Sequence, residues 1–199
     1  MFDGRATRIE PWGAGDLQLL VELNDPEMTK HVGGSESSEK LAERQSGYEK
    51  VDSRQYRIVV EAGGDGVGWV GYWETTWHDE QVWEIGWAVI VSFQGRGIAS
   101  SATAQLIDRA RAEQRYRFVQ AFPMVENAPS NAICRKLGFT LIGEIDFPAR
   151  QGGTVRCNDW RFDLFASSGR AHDEGDRPGS VRLGRRPPAP GDREVDRQG

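Results

Sequence analysis

Residues 83–100 read WEIGWAVIVSFQGRGIAS: an aromatic and β-branched run passes through two glycines, Gly95 and Gly97, into a series of small residues. The first part has strand character, and Ile98, Ala102, Leu106 and Ala110 recur at helical spacing, which predicts a helix from about Gly97 to Glu113. Gln94-Gly95-Arg96-Gly97-Ile98-Ala99 therefore joins a strand end to a helix start. At such a junction the first helical N–H groups lack internal partners and the helix dipole adds partial positive charge, so an anion such as a phosphate can bind. Glycines let that anion approach the main chain. Two nucleotide-binding readings fail on the residues themselves. No P-loop motif with its Gly-Lys-Ser/Thr ending follows any strand, and GRGIAS lacks a third Gly or Ala and comes too late for a dinucleotide-binding βαβ unit.

Upstream, QYRIVVEA, VGWVGYWETTW and QVWEIGWAVIV are three strand-like runs separated by GGDG and HDE, which predicts antiparallel succession. Thr7 to Glu10 reads as a short strand ended by Pro11. A helix begins after the candidate cap Asp16, and Ser35 to Asp52 reads as a polar surface helix near an opening. Downstream come a strand at RFVQAF, a helix from Pro129 to Leu137, a strand at FTLIGEI and a last strand at TVRCNDWRFDLF. The order β-α-α-β-β-β-α-β-α-β-β implies an α/β (α+β) fold, with a mixed, mostly antiparallel sheet of about seven strands and about four helices on its faces.

The chain has 199 residues, enough for one core, with 38% hydrophobic and 28% charged residues and seven tryptophans, all before residue 161. Residues 1–166 are expected to form the folded domain. Residues 167–199 carry no aromatic residue and are dense in Gly, Pro, Arg and Asp, which predicts a disordered tail. The start lacks a signal-peptide run, and no stretch approaches the roughly 20 apolar residues of a membrane span, so a cytoplasmic protein without a membrane partner is expected. A net charge of −5 argues against a nucleic-acid partner. Two cysteines and the isolated His31 and His78 make neither a disulfide framework nor a metal site.

WEIGWAVIVSFQGRGIAS followed by NAPSNAICRKLGF, residues 127–139, resembles the GNAT acetyltransferase superfamily. Its acetyl-CoA signature is Gln/Arg-x-x-Gly-x-Gly/Ala at such a strand-helix junction. The resemblance spans about residues 5 to 165. TRIEPWGAGDLQLLVELN and SNAICRKLGF are most similar to the branch containing ribosomal-protein alanine N-acetyltransferases, of the RimJ and RimL type, and many small-amine acetyltransferases. It implies acetyl-CoA as donor, an amine as acceptor, direct attack through a ternary complex, and a sheet splayed between strands 4 and 5. Whether two copies pair as a homodimer is left open.

By that resemblance, Val89, Ile90 and Val91 would bind the pantetheine arm as an added strand, and an N–H near Val89 would stabilise the developing oxyanion. The pyrophosphate would lie on the N–H groups of Gly95, Arg96, Gly97, Ile98, Ala99 and Ser100, with Arg96 adding charge, and Gln94 opens the cofactor-binding signature. Asn127 and Asn131 match positions that contact the cofactor arm or order a water, although Asn127 also reads as a helix cap. Glu84 matches a carboxylate that acts as base directly or through water, or else satisfies sheet donors. A lysine-like amine, with a pKa of about 10.4, needs a base more than an α-amine near 8. Cys134 stands where many members carry Tyr as general acid; the alternatives are a buried apolar role for the thiol, with water or Ser130 as donor. Trp73 is a candidate aromatic wall for the amine, against ordinary core packing. Two rival functions remain open from sequence: a noncatalytic acyl-CoA-binding regulatory module, and transfer of a different acyl group.

Overall fold

The computed structural model describes residues 7–30, 34–60, 64–148 and 152–166; the predicted tail 167–199 and His31 lie outside them. In chain order the elements are β1 (Arg8–Pro11), α1 (Leu17–Leu23), α2 (Pro26–Thr29), α3 (Ser38–Tyr48), β2 (Gln55–Val59), β3 (Gly66–Trp77) and β4 (Glu80–Val89). They continue with α4 (Ile98–Ala112), β5 (Phe118–Ala121), α5 (Ala128–Leu137), β6 (Thr140–Pro148) and β7 (Thr154–Asp163). The seven strands form one sheet in the order β1-β2-β3-β4-β5-β7-β6. All neighbours are antiparallel except β4 and β5. The mixed α/β architecture is the one expected. Among the described residues five helices form where about four were expected, the addition being α2, a single turn started by Asp25, whose Oδ1 accepts the Glu27 N–H at 2.8 Å. Four residues are too few to display a period. Pro11 lies inside β1 rather than after it, opposite Tyr56 on the outermost strand, where a missing N–H costs no ladder bond.

The parallel pair is short. Trp83 registers with Val119 and Glu84 with Gln120, and there the pairing stops. β4 stays with β3 as far as Gly68 opposite Val89. The chain after β5 instead follows β7: Pro123 accepts from the Asn158 N–H at 2.9 Å, and the Val125 N–H donates to Arg156 at 3.0 Å. Each strand keeps its outer partner, so a V opens between β4 and β5.

Alternation along the strands assigns the two faces. Val70, Tyr72, Trp83, Ile85 and Val89 pack with Ile98, Ala102 and Leu106 of α4. On the opposite face Trp69 and Ala88 meet Leu19, Leu20, Leu23, Leu41 and Tyr48 of α1 and α3. Helix α4 is pinned at its middle and at its C-terminal end: Gln105 Nε2 donates to the Thr7 carbonyl at 2.9 Å, and Arg54 Nε donates to Glu113 at 2.8 Å. Trp69, Trp73 and Trp77 share one face, as their even spacing predicts. Trp69 and Trp73 stack at 6.4 Å with an interplanar angle of 20°.

Gly86 makes that stack possible, since a Cβ there would lie 2.9 Å from Trp69 Cη2 and 3.1 Å from Trp73 Cη2. Gly86→Ala should displace the rings and cost about 1–3 kcal/mol. Urea unfolding reads this as a lower midpoint at unchanged slope; an unshifted midpoint would contradict the packing.

Candidate active site

A cavity of about 580 Å³ occupies the V. One side is the end of β4, where Ala88 from one sheet face and Trp87 and Val89 from the other all reach it. The Ile90 N–H donates to the Val67 carbonyl of β3 at 3.0 Å. Backbone groups alternate in direction along a strand, so the N–H and C=O of Val89 point the other way, into the V that β5 has left. The Val89 carbonyl accepts the Gln94 side-chain amide at 2.8 Å, and its N–H faces the cavity without a strand partner.

The floor is the Gly95–Gly97 turn and the first turn of α4. Gly95 and Gly97 adopt φ of 71° and 79°, a region that costs an L residue about 1–2 kcal/mol. A Cβ on either would meet nothing within 4 Å, so backbone conformation and open space for a ligand, not packing, account for glycine here. The N–H groups of Ile98, Ala99 and Ser100 belong to the first turn of a 15-residue helix and have no carbonyl within it to donate to. N–H groups so placed can receive an anion. Arg96 folds back, with Nη2 on the Ser92 carbonyl at 2.8 Å and its guanidinium 5.1 Å from the Phe93 ring centroid.

The predicted residues divide by position. Val89, Val91, Gln94, Gly95, Gly97, Ile98, Ala99, Ser100, Asn127 and Ser130 border the cavity; Ile90, Arg96, Glu84, Trp73, Asn131 and Cys134 do not. Asn127 caps α5, its Oδ1 accepting the Ser130 N–H at 3.2 Å, while also facing the cavity. Asn131 is 2% exposed and spends its amide internally. Its Nδ2 donates to the Met124 and Asn127 carbonyls at 2.9 Å each, and Oδ1 accepts from Asn158 Nδ2 at 2.7 Å and Trp160 Nε1 at 2.8 Å. It ties α5 to β7 and retains no bond for a ligand. Cys134 is fully buried in the core under α4, and burial pushes its thiol up to about 12. Glu84 is 5% exposed at the apex of the V, opposite Trp73. It lies four residues before Ala88 on the same face, roughly 13 Å at about 3.3 Å per residue. His78 lies 3.7 Å from Asp159, and among the described residues no cluster could hold a metal.

Sequence reasoning missed the far end of the cavity. Met28 of α2, Tyr48 of α3 and Trp69 of β3 line it, with Glu36 and Arg44 joined as an ion pair. Tyr48 and Trp69 stack at 5.8 Å with planes 3° apart, and Gln55 Oε1 accepts the Trp69 indole N–H at 2.9 Å. The signal was present for Trp69, which shares the stripe of Trp73. Tyr48 and Met28 come from distant segments that only the fold brings together.

Residues 7–140 match the family model described as the acetyltransferase (GNAT) domain, and the chain belongs to that family of acetyltransferases. No curated protein matches it in sequence. Among solved structures it is similar to yncA of Salmonella typhimurium, solved with acetyl-CoA, at 18% identity and a TM-score of 0.62 over 88% of this chain and 99% of the other. It is similar to RimL, a ribosomal-protein α-N-acetyltransferase, at 19% identity and 0.64 over 79% and 90%. It is also similar to spermidine N-acetyltransferase of Vibrio cholerae, solved with CoA and spermine, at 17% and 0.65 over 80% and 96%. At these identities the likeness is one of fold. Among the described residues no helix is long and apolar enough to cross a membrane.

Removing the Asn131 amide leaves the Asn158 and Trp160 donors without their acceptor in the interior, while the Met124 and Asn127 carbonyls keep the backbone N–H groups of Asn127 and Asn131. Asn131→Ala is expected to cost about 2–4 kcal/mol, given roughly 1–3 kcal/mol for each buried group left unpaired. Chemical denaturation measures it, and a loss under about 0.5 kcal/mol would contradict the assigned structural role.

Proposed function

We propose that this acetyltransferase moves the acetyl group of acetyl-CoA directly to a primary amine, with both substrates held together in the cavity. The observation that carries this reading is the Val89 N–H, which has no strand partner and points into the V beside the first turn of α4. The likeness to yncA, solved with acetyl-CoA, supports the donor.

The residues fit that donor. The free edge of β4 receives an amide-bearing arm as it would an added strand. N–H groups of the Gly95–Ser100 segment receive the pyrophosphate. The Val89 N–H then donates to the thioester oxygen as negative charge develops there, a contribution of the kind worth about 3–4 kcal/mol when one such donor is removed. The amine nitrogen forms the new C–N bond, the C–S bond breaks, and the nitrogen gives up a proton. Glu84 receives that proton through water, because about 13 Å of strand separates it from Ala88. Trp69 and Trp73 pack over Gly86, which lies between Glu84 and Ala88 on the strand. Ser130 borders the cavity and donates to the departing sulfur; Cys134 lies in the core.

The test is thiol release from acetyl-CoA across pH in the wild type, Glu84→Gln and Cys134→Ala. Glu84→Gln should lower kcat roughly 100-fold at pH 7, with the deficit shrinking as pH rises and the amine loses its proton unaided. Cys134→Ala should leave kcat unchanged and cost only stability. Full activity of Glu84→Gln at pH 7 would make Glu84 a sheet carboxylate, and loss of kcat in Cys134→Ala would return the thiol to the reaction.

A further inference from the structure

We propose that the acceptor is a small primary monoamine on an apolar, planar body, an arylalkylamine in kind, rather than a polyamine or a peptide N-terminus. This rests on the acetyl-transfer reading above and concerns the far end of the same cavity.

The first argument is charge. Among the described residues, four charged side chains border this end, and each acid is matched by a base within the wall. Arg44 pairs with Glu36, their side chains only 12% and 9% exposed, and Lys30 pairs with Glu27. An ammonium that has given up its proton to react is neutral, so a monoamine brings no charge to this wall at the moment of attack. A polyamine keeps one or more charges there, and a buried charge without a matching partner is strongly unfavourable.

The second argument is surface. The wall offers the stacked Tyr48 and Trp69 rings together with Leu23, Leu41 and Met28. Those rings stack on one another, so an apolar planar body gains by burying its surface against their edges and the neighbouring aliphatic side chains. Gln55 holds the Trp69 indole N–H inside the sheet, so that polar atom is not presented to the ligand.

The third argument is hydrogen bonding. A peptide acceptor brings amide groups that need partners when desolvated. The side-chain amides nearest this end are engaged. Asn24 Nδ2 donates to the Glu36 carbonyl at 2.9 Å, and its Oδ1 accepts the Glu36 N–H at 2.7 Å. Gln94 Nε2 donates to the Val89 carbonyl at 2.8 Å and meets Met28 Sδ at 3.4 Å.

The experiment measures thiol release from acetyl-CoA with 2-phenylethylamine, spermidine and an alanine-initiated hexapeptide, using wild type, Arg44→Gln and Arg44→Lys. Wild type should favour phenylethylamine over both others by roughly 30-fold in kcat/KM, the ratio set by about 2 kcal/mol of uncompensated desolvation. Arg44→Gln leaves the Glu36 carboxylate without its guanidinium and should raise spermidine relative to phenylethylamine about tenfold, while Arg44→Lys keeps the wild-type ratio. A wild-type preference for spermidine or for the peptide overturns the proposal, whether or not the variants fold. An unchanged ratio in folded Arg44→Gln overturns its charge argument. Acetyl-CoA bound with no thiol released for any amine instead overturns the acetyl-transfer reading beneath it.

Discussion

The parting of β4 from β5 after Glu84 is the constraint on which the site depends. A parallel pair confined to Trp83 with Val119 and Glu84 with Gln120 leaves the upper half of β4 with one open edge in the middle of the sheet. Open edges usually lie at a sheet's margin and invite pairing with another chain. Here the edge is enclosed by α4, α5 and the α1–α3 layer, so what can pair with it is a ligand that reaches down the cavity. The V survives because each strand has a stronger commitment elsewhere, β4 to β3 over ten registered pairs and β5 to β7.

Around that edge the molecule divides its labour between faces. The face under α4 is the main core, and it sets the helix N-terminus against the end of β4. The other face is built from aromatic rings at close quarters, Trp12 edge-on to Tyr48 at 5.4 Å and Tyr48 flat on Trp69. Buried amides hold those rings in place: Gln45 accepts the Trp12 indole N–H at 2.8 Å, as Gln55 does for Trp69. Rigid neighbours on both sides give the cavity a fixed shape, which suits a reaction that gains its rate from donors aimed in advance.

Much of this was legible in the sequence because it rests on local chemistry. Strand runs of period two, the glycine pair and the four-residue spacing of α4 each report their own conformation, and the element order followed. The turn that opens α4 was legible for the same reason, since Gly95 and Gly97 need φ values that few other residues accept. What stayed hidden depends on distance in the chain. Asn131 reads from its motif as a cofactor ligand, but its partners Asn158 and Trp160 lie on β7, and only the fold reveals that its amide is spent. Glu84 sits on the expected strand, yet its depth at the apex of the V is a property of where β5 leaves. Tyr48, Met28 and the Glu36–Arg44 pair carry no motif, because this part of the cavity is lined by side chains with ordinary packing roles.

Backbone amide exchange, with and without acetyl-CoA, tests the central claim most directly, because it reads the N–H groups themselves. The account predicts new protection at Val89 and across Gly95 to Ser100, with β6 and the exposed face of α3 unchanged. Protection elsewhere, or none at Val89 under conditions where acetyl-CoA is bound, would contradict the claim that the open edge of β4 is where the donor lies.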